Sequence, residues 1–512
     1  MKMPRKRNTR FLSKTLYALL TILFFSVRYY MKYWNVDFAI ALYQMSSPLK
    51  GTNPQYFTQY FQTVIIPSLI FWVSWYLVWK IILYTIGNNG IYININILSR
   101  RWRWVIEKSW IRLLRTFISL LLAIFAVCYI FISAYNIGIF SFAYNYSHAT
   151  KFFEDYYISP EDAQMVFPGN KKNLLLIYME SMETTYMSID VGGGKPLNYI
   201  PELTSLAQDN INFSNSDKLG GALPSKLTGW TMAALLATSC GIPFKLPIEG
   251  NDAEMYSDFL PGVISLGDIL SENGYNNYFL CGSDASFAGR DLFYQQHGDY
   301  MIYDYEYAVE RGKEDEMNRV NWGYDDEMLY EYAKEYLSEI GTKEEPFNFT
   351  MLTVDTHHPD GYVCELCEDE YDEQYANVLA CSSRQVDDFI TWVEKQSWYE
   401  DTVVVIIGDH LSMNTNFWND IGDYQRCIYN CFINTKKSSE TLNLHNRIFS
   451  NMDYFPTILS AMSVDIEGDR LGLGTDLFSQ ESTLYELLGR EYVERQLDGY
   501  SKHYNEKFVR GK

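Results

Sequence analysis

The stretch "TVVVIIGDH", residues 402–410, is a run of β-branched residues that ends in a glycine, an aspartate and a histidine. Four other stretches are similarly apolar: "NLLLIYM" (173–179), "YNNYFLC" (275–281), "FNFTMLTV" (347–354) and "CIYNCFI" (427–433). Continuous apolar runs bounded by turns are typical of strands buried on both faces. Because amphipathic stretches separate them, we expect an α/β domain with a mainly parallel sheet.

Polar and ionisable residues follow these predicted strands. In open α/β sheets, ligands bind beyond the carboxyl ends of the strands. The residues that reach this edge are Glu180 after the first strand, Arg290 shortly after the second, Asp355, His357 and His358 after the third, and Asp409 and His410 after the fourth. The sequence therefore predicts a functional site at this edge.

Glu180, Asp409 and His410 combine two carboxylates with an imidazole. Taken alone, Glu180 fits equally well as a carboxylate at the start of a helix, and Gly-Asp-His is a common tripeptide. Together the three residues suit a divalent cation, and an added hydroxyl gives the mixed oxygen and nitrogen set that Mn²⁺, Mg²⁺ or Zn²⁺ accepts.

The stretch "LTGWTMAALLATSCGIP", residues 227–243, offers that hydroxyl. Thr231 stands at the start of a predicted helix, where it could be a capping residue. A hydroxyl there also lies where the helix dipole favours phosphate, and metal coordination would activate it as a nucleophile. We expect Thr231 to carry the chemistry and Thr228 to shape the turn.

Charge divides the chain into two parts. Residues 1–150 hold 16 of the 42 Lys and Arg residues but only two of the 63 Asp and Glu residues, which leaves the remainder strongly acidic. Three apolar stretches in the basic part approach the roughly 20 residues needed to span a bilayer: about 11–29, 64–84 and 116–140. The basic clusters adjoin these stretches, which argues against nucleic-acid binding.

Basic residues are enriched on the cytoplasmic side of membrane proteins. The clusters "MKMPRKRNTR" (1–10) and "RRWRWVIEKSWIRLLR" (100–115) are therefore expected inside. Three spans then place everything after about residue 141 outside the cytoplasm. Trp102, Trp104 and Trp110 are expected on a helix at the membrane interface.

The motifs "YMESMETTY", "TGWTMAALLATSCGIP", "FAGRD", "LTVDTHHPDGY" and "GDHLSM" resemble those of membrane-anchored phosphoglycerol transferases, which belong with lipoteichoic acid synthases in the alkaline phosphatase/sulfatase superfamily. The resemblance is closest to the branch that modifies osmoregulated periplasmic glucans. It covers roughly residues 172–480 and implies a sulfatase-like catalytic domain, which we place at 172–490 with a C-terminal tail at 491–512. The apolar stretches and the turn-forming residues around Pro160 and Pro168 predict a transmembrane region (1–140) and a linker (141–171) before it.

The resemblance also implies roles for individual residues. One divalent cation, Mn²⁺ or Mg²⁺ rather than Zn²⁺, would be held by a set of four metal ligands: Glu180, Thr231, Asp409 and His410. Thr231 would be the nucleophile, and Arg290 and His357 would hold the phosphoglycerol group. His357 would also transfer protons, while His358 is a second substrate contact or a solvated loop residue.

The implied reaction moves phosphoglycerol from phosphatidylglycerol to a cell-surface glycan or glycolipid through a glycerophospho-threonine. Two departures, Cys281 in place of a histidine and three spans in place of five, disfavour a lipoteichoic-acid-type polymerase. A phosphoethanolamine transferase and an inactive, membrane-tethered glycan-binding protein remain alternatives. Sulfate-ester chemistry is rejected because "CGIPFK", from Cys240, departs from the C/S-x-P-x-R pattern.

Three cysteines flank an acidic loop in the part expected outside the cell, where disulfides persist. They are Cys364, Cys367 and Cys381. "CELC" could be half of a zinc knuckle, but no second pair with knuckle spacing follows. A disulfide from Cys381 to Cys367 or Cys364 is therefore expected.

Overall fold

The structure is a computed structural model that describes residues 5–33, 38, 54–85, 91–97, 100–245, 258–315, 317, 319–435 and 442–512. The chain divides into two compact units, one of residues 1–36 and 53–141 and the other of residues 37–52 and 142–512.

The first unit is mostly helical. Its helices are α1 (Arg5–Tyr33), α2 (Pro54–Tyr60), α3 (Ile66–Thr85) and α4 (Lys108–Asn136), and α5 (Ile139–Tyr146) begins in it. The π-helical turn Phe61–Ile65 joins α2 to α3. Two helical stretches of the described chain, Gln55–Thr85 and Lys108–Asn136, are long and apolar enough to cross a membrane. Helix α1 does not meet the same test, so a third span stays a prediction.

The expected interfacial helix is partly wrong. Trp102 and Trp104 lie on strand β2 (Arg100–Ile106), which pairs antiparallel with β1 (Ile91–Ile97), and Trp110 lies in the first turn of α4. "IYININI" and "RWRWVI" alternate with a period of two residues, which is typical of strands and not of helices.

The second unit is built on a six-stranded sheet in the order β6-β5-β7-β4-β8-β9. Its strands are β4 (Asn173–Met179), β5 (Asn276–Cys281), β6 (Met301–Tyr303), β7 (Phe347–Leu352), β8 (Thr402–Gly408) and β9 (Asn430–Ile433). All neighbouring pairs are parallel except β8 and β9. The predicted α/β class with a mainly parallel sheet is confirmed, and edge strand β6 was not predicted.

Helices cover both faces of this sheet. The helices of the second unit, with α5 completed, are α6 (Phe152–Tyr156), α7 (Pro201–Asp209), α8 (Thr231–Cys240), α9 (Leu266–Glu272), α10 (Arg290–Gln296), α11 (Tyr305–Glu310), α12 (Asp326–Ile340), α13 (Gln374–Val393), α14 (Tyr454–Ala461), α15 (Leu484–Leu488) and α16 (Arg490–Asp498). Leu175 and Ile177 of β4 share a buried cluster with residues of α7, α12 and α13. Tyr178 points the other way, and its hydroxyl lies 3.4 Å from that of Ser239 on α8.

Segments that precede and follow the six-stranded sheet contact each other. Three short antiparallel strand pairings complete the described strands, with β3 (Met165–Val166) against β10 (Asp465–Ile466) and β11 (Arg470–Leu471) against β12 (Gly474–Thr475), besides β1 with β2. Near the C-terminus, the π-helical turn Tyr504–Val509 buries Tyr504, whose ring centroid lies 5.2 Å from that of Phe153.

An ion pair between buried Arg447 and partly buried Glu486 joins the loop before α14 to α15. Arg447 donates through Nε to Glu486 Oε1 (2.9 Å) and through Nη2 to Glu486 Oε2 (3.3 Å). We expect Arg447→Met to lower the free energy of unfolding by about 3–5 kcal/mol, because the mostly buried Glu486 carboxylate loses its counter-charge. Chemical unfolding of the full chain in detergent, followed by tryptophan fluorescence, measures this.

The same pair predicts a pH dependence. Burial favours a higher pKa for Glu486, but the hydrogen bonds from Arg447 and two backbone N–H groups bring the pKa below its ordinary value. The ion pair therefore contributes fully to the free energy of unfolding at neutral pH, and this contribution is lost as the pH falls below about 4. Glu331→Gln is the control, since its pair with Lys334 is exposed and should contribute under about 1 kcal/mol. Equal losses in both variants would contradict this expectation.

Candidate metal centre and active site

The register of two neighbouring strands creates the centre of the site. Strands β4 and β8 pair so that Met179 lies opposite Gly408. The next residues, Glu180 and Asp409, therefore leave the sheet side by side, with His410 one residue further. All three side chains are buried, and one potential ligand atom of each lies within 4.8 Å of those of the others.

His410 is oriented by its own backbone neighbour. Its Nδ1 lies 2.9 Å from the carbonyl oxygen of Leu411. A carbonyl can only accept, so Nδ1 carries the proton and Nε2 keeps its lone pair. Nε2 lies 3.5 Å from Glu180 Oε1 and 3.4 Å from Asp409 Oδ2. This tautomer presents a nitrogen ligand to the carboxylates.

Asp409 uses its two oxygens differently. Oδ1 accepts hydrogen bonds from the backbone N–H groups of Ser181 and His410, both at 2.7 Å. Oδ2 is buried and has no hydrogen-bond partner among the described residues. Buried carboxylate oxygens are normally paired or bind metals. The orphaned oxygen fits a bound cation.

The electrostatics of the cluster also fit a cation. Burial and the neighbouring Glu180 raise the pKa of Asp409 to about 7, and His410 only partly opposes this. Burial acts the same way on Glu180, but the nearby histidines bring its pKa below the ordinary value. A divalent cation would stabilise both carboxylates in their charged form. The donor set of two oxygens and one nitrogen suits Mn²⁺, Mg²⁺ or Zn²⁺.

Thr231 lies beside this cluster. It is the first residue of α8, whose N-cap position is occupied by Trp230, so the Thr231 hydroxyl does not cap the helix. Its Oγ1 lies 3.3 Å from Glu180 Oε2 and 3.4 Å from His410 Nε2. Thr228 is fully buried, and its hydroxyl donates to the carbonyl of Ser225 at 3.0 Å. Of the two threonines, Thr231 faces the potential metal ligands.

Arg290 begins α10 and is almost completely buried. Its Nε donates to the carbonyl of Phe287 (3.2 Å), and its Nη2 donates to Ser283 Oγ and to the carbonyl of Asp284 (both 2.9 Å). These bonds fix the plane of the guanidinium. No described residue accepts a hydrogen bond from Nη1, which is left for a ligand.

His357 and His358 follow β7. Nδ1 of His357 donates to the carbonyl of His358 at 2.9 Å, which leaves its Nε2 as an acceptor. Burial lowers the pKa of the His357 imidazole, although Glu180 opposes the effect, and the charges of His410 and Arg290 lower it further. Burial likewise lowers the pKa of His358 to about 3. Both rings are therefore neutral at pH 7.

The part of the chain that carries the site matches a known protein family. The model of the sulfatase family matches residues 172–464, which is more than half of the chain. The chain belongs to the sulfatase family. The match covers the whole six-stranded sheet and every residue of the metal and threonine cluster.

Among its relatives, this sulfatase-family chain is similar to proteins named phosphoglycerol transferase I. That of Escherichia coli O6:K15:H31 is 34% identical over 340 residues, covering 64% of this chain and 42% of the relative. That of Salmonella typhimurium is 33% identical over 338 residues, with the same coverage. The chain thus aligns with less than half the length of these curated relatives. The resemblance drawn from the motifs is confirmed.

Solved structures show weaker likenesses. The lipoteichoic acid synthase LtaP from Listeria monocytogenes is 21% identical, covers 61% of this chain and 77% of its own, and gives a TM-score of 0.46. The integral membrane protein lipooligosaccharide phosphoethanolamine transferase A from Neisseria meningitidis is 14% identical. The match covers 89% of this chain and 85% of that protein, with a TM-score of 0.49.

Cys240 lies away from the site. It ends α8, ten residues long, at the opposite end from Thr231, and its side chain is fully buried. Burial keeps the pKa of its thiol well above the ordinary value, so the thiol is not a nucleophile here.

The predicted disulfide is absent from the structure. All eight cysteines are free thiols, including Cys364, Cys367 and Cys381, which nevertheless lie next to one another. The sulfurs of Cys364 and Cys367 are 3.6 Å apart, which far exceeds the S–S bond length of about 2.05 Å.

Several residues that support the site were not singled out from the sequence. Ser181 has a φ of 52°, an uncommon conformation for a residue other than glycine, and its hydroxyl donates to Glu180 Oε1 at 2.6 Å. Glu183 is fully buried, pairs with Arg426 and accepts at 2.8 Å from the backbone N–H of Ser412, two residues after His410. "YMESMETTY" contains both Ser181 and Glu183, but only the fold shows what they contact.

Proposed function

We propose that the protein is a metal-dependent phosphoglycerol transferase that uses Thr231 as a covalent nucleophile. The observation that carries the proposal is the position of Thr231 Oγ1, within 3.4 Å of both Glu180 and His410. A binding protein would not need a helix-terminal hydroxyl among potential metal ligands. The donor is phosphatidylglycerol, and the acceptor is a hydroxyl of a cell-surface glycan or glycolipid.

In the first half-reaction, Thr231 Oγ1 attacks the phosphorus of the donor. The Oγ–P bond forms and the bond from phosphorus to the diacylglycerol oxygen breaks, while the hydroxyl proton of Thr231 passes by way of His357 to that oxygen. Glycerophospho-threonine and diacylglycerol result. Glu180, Thr231, Asp409 and His410 would hold a divalent cation, which would supply Lewis-acid activation of the hydroxyl and charge stabilisation when bound. The start of α8 favours the negative charge of the phosphate through its N–H groups.

In the second half-reaction, an acceptor hydroxyl attacks the same phosphorus and Thr231 Oγ1 leaves. We assign the proton transfers to His357, since its lowered pKa keeps the ring neutral and its Nε2 is an acceptor. It receives the proton of the acceptor hydroxyl and returns one to the departing oxygen. Nη1 of Arg290 binds a phosphate oxygen, and His358 contacts the glycerol hydroxyls.

The lipid donor is supported by two observations. Relatives at 33–34% identity are named phosphoglycerol transferase I. The chain also carries two helices long and apolar enough to hold it at a bilayer, where a lipid substrate is found. The catalytic domain is proposed to lie outside the cytoplasm.

Release of diacylglycerol from labelled phosphatidylglycerol by the purified full chain, with Mn²⁺ or Mg²⁺, tests the proposed function. Phosphatidylethanolamine is the second donor in the same assay. We expect strong preference for phosphatidylglycerol and transfer of the label to an added glycan. A preference for phosphatidylethanolamine would replace the phosphoglycerol assignment, and no turnover of either lipid would refute the enzyme assignment.

We expect Arg290→Lys to use phosphatidylglycerol at least about tenfold less efficiently. Lysine keeps the charge but loses the planar fork that Phe287, Ser283 and Asp284 now hold, and one charge-assisted hydrogen bond accounts for about 1.5–3 kcal/mol. The measurement is kcat/KM for diacylglycerol release. Metal affinity is the internal control and should be unchanged. Arg311→Lys, on a residue that stacks over Tyr307, is the matched variant and should keep full activity.

The proposed topology places residue 110 in the cytoplasm and residue 160 outside it. The basis is the basic clusters at 1–10 and 100–115 and the apolar helix Lys108–Asn136, which has residue 110 in its first turn and ends before residue 160. Reporter fusions at both positions measure it. If the fusions at residues 110 and 160 both report the same side of the membrane, the helix between them does not cross it and the topology is contradicted.

A further inference from the structure

Three cysteine sulfurs converge between α13 and the loop that precedes it. Cys364 and Cys367 belong to one turn, in which the N–H of Cys367 donates to the carbonyl of Cys364 at 3.2 Å. Cys381 is on the buried face of α13. The sulfur of Cys364 lies 3.6 Å from that of Cys367 and 3.7 Å from that of Cys381, and all three lie within 4.8 Å of one another.

These separations match the geometry of a tetrahedral thiolate site. With zinc–sulfur bonds of about 2.3 Å, two sulfurs of a tetrahedron are about 3.75 Å apart. The turn Cys-x-x-Cys supplies two ligands at the spacing that zinc sites use. The sequence suggested half of a knuckle without its partner, and the fold supplies Cys381 as a third ligand from a helix.

Gln385 lies one helical turn beyond Cys381 and is 92% buried. Its Nε2 lies 3.2 Å from the sulfur of Cys381 and 3.7 Å from that of Cys364, while its Oε1 is buried with no hydrogen-bond partner among the described residues. A half-turn of the amide exchanges these two atoms. An oxygen ligand of tetrahedral zinc lies about 3.6 Å from each sulfur. The distances from the amide to the sulfurs of Cys381 and Cys364, 3.2 and 3.7 Å, lie on either side of this value.

We propose that Cys364, Cys367 and Cys381 bind one zinc ion, with the amide oxygen of Gln385 as the fourth ligand. The surroundings favour a cation, since Glu365, Glu368, Asp369 and Glu370 lie in the same loop. Cys364 and Cys381 are buried and Cys367 is half-buried, which leaves one side for entry of the ion. Binding releases the thiol protons and protects the sulfurs from oxidation.

The site would act as a clip on the active-site loop. Cys364 lies seven residues after His357, and Tyr362 and Gly361 already return hydrogen bonds to Asp355 and His357. A zinc ion would join this loop to α13, which also holds the loop through the hydroxyl of Tyr375 on the carbonyl of Thr356 (3.0 Å). The clip is independent of the proposed reaction, because its ligands differ from those of the Thr231 site.

The test counts zinc and thiols in the full chain, purified in detergent without chelator. We expect one zinc ion per chain. The Glu180→Gln variant should retain this ion, and the double variant Cys364→Ser/Cys381→Ser should lose it. Cobalt in its place should give thiolate-to-cobalt charge-transfer absorption. Cys427→Ser, also buried and away from the cluster, is the control and should keep the ion.

Cys367→Ser is the second variant, because its half-buried position makes misfolding less of a concern. It should weaken zinc binding at least tenfold and leave the metal count at the Thr231 site unchanged. A mass two hydrogens lower with no zinc would show a disulfide and overturn the proposal. Free thiols that bind no added zinc would overturn it as well. Loss of turnover alone bears on the Thr231 site and not on this one.

Discussion

Thr231→Ala should lower transfer from phosphatidylglycerol by at least about 10³-fold, the scale seen when a covalent nucleophile is removed. Thr231 Oγ1 is the only group of the helix start that faces Glu180 and His410 among the described residues. The alanine keeps the helix intact, since the N-cap position belongs to Trp230. The rate of diacylglycerol release and the trapped covalent intermediate, read by mass spectrometry, measure the effect.

Two variants make this result specific. Thr231→Ser keeps a hydroxyl and should retain measurable transfer. Thr228→Ala removes a buried hydroxyl that bonds to Ser225, so it should cost about 1 kcal/mol of stability and leave the reaction largely intact. Metal should still bind to Thr231→Ala, with lower affinity. Full activity of Thr231→Ala would show that Thr231 is not the nucleophile, and Thr228 would be the next residue to test.

Asp409→Asn should abolish transfer, by about 10³-fold or more, because it removes a charged ligand from the cation site. The same substitution should stabilise the metal-free protein by about 1–3 kcal/mol. Oδ2 of Asp409 is buried without a hydrogen-bond partner among the described residues, and the neutral amide removes the cost of a buried, uncompensated charge. Opposite signs for activity and metal-free stability are the diagnostic result.

The pH dependence follows from the raised pKa of Asp409, about 7 against an ordinary value of 3.8. Between these values the folded protein holds a proton that the unfolded chain has released, so metal-free stability falls as the pH rises from about 4 to about 7. Asp409→Asn should lack this part of the slope. Thermal unfolding with chelator, then with added Mn²⁺, measures both effects.

Asp465→Asn, an exposed aspartate on β10, is the control and should change neither metal-free stability nor the gain on adding Mn²⁺. If Asp409→Asn gains as much stability from Mn²⁺ as the wild type does, Asp409 is not a ligand. If metal-free Asp409→Asn is less stable than the metal-free wild type, the Asp409 carboxylate stabilises the fold, and the expectation that its charge is costly is wrong.

Local pattern was enough to place the main strands and the residues that follow them. "TVVVIIG" has no polar side chain beyond its first residue, so it forms a strand wherever helices can cover both faces, and Asp409 and His410 must then leave its carboxyl end. The same holds for Glu180 after β4. The two-residue alternation of "IYININI" indicates a strand, whereas the basic and tryptophan residues beside it suggest a helix at the membrane interface.

Other features depend on contacts between distant parts of the chain. Edge strand β6 has three residues, Met301–Tyr303, too few for any periodicity to show, and it forms because β5 offers it a hydrogen-bonding edge. The pairing of Met179 with Gly408 sets Glu180 beside Asp409, and register is a property of two strands together. The approach of Cys381 to Cys364 likewise requires α13 to pack against the loop that precedes it. The sequence by itself determined which side chains stand at strand ends and loops, because burial and periodicity are local, whereas the tertiary structure decided which of those side chains meet.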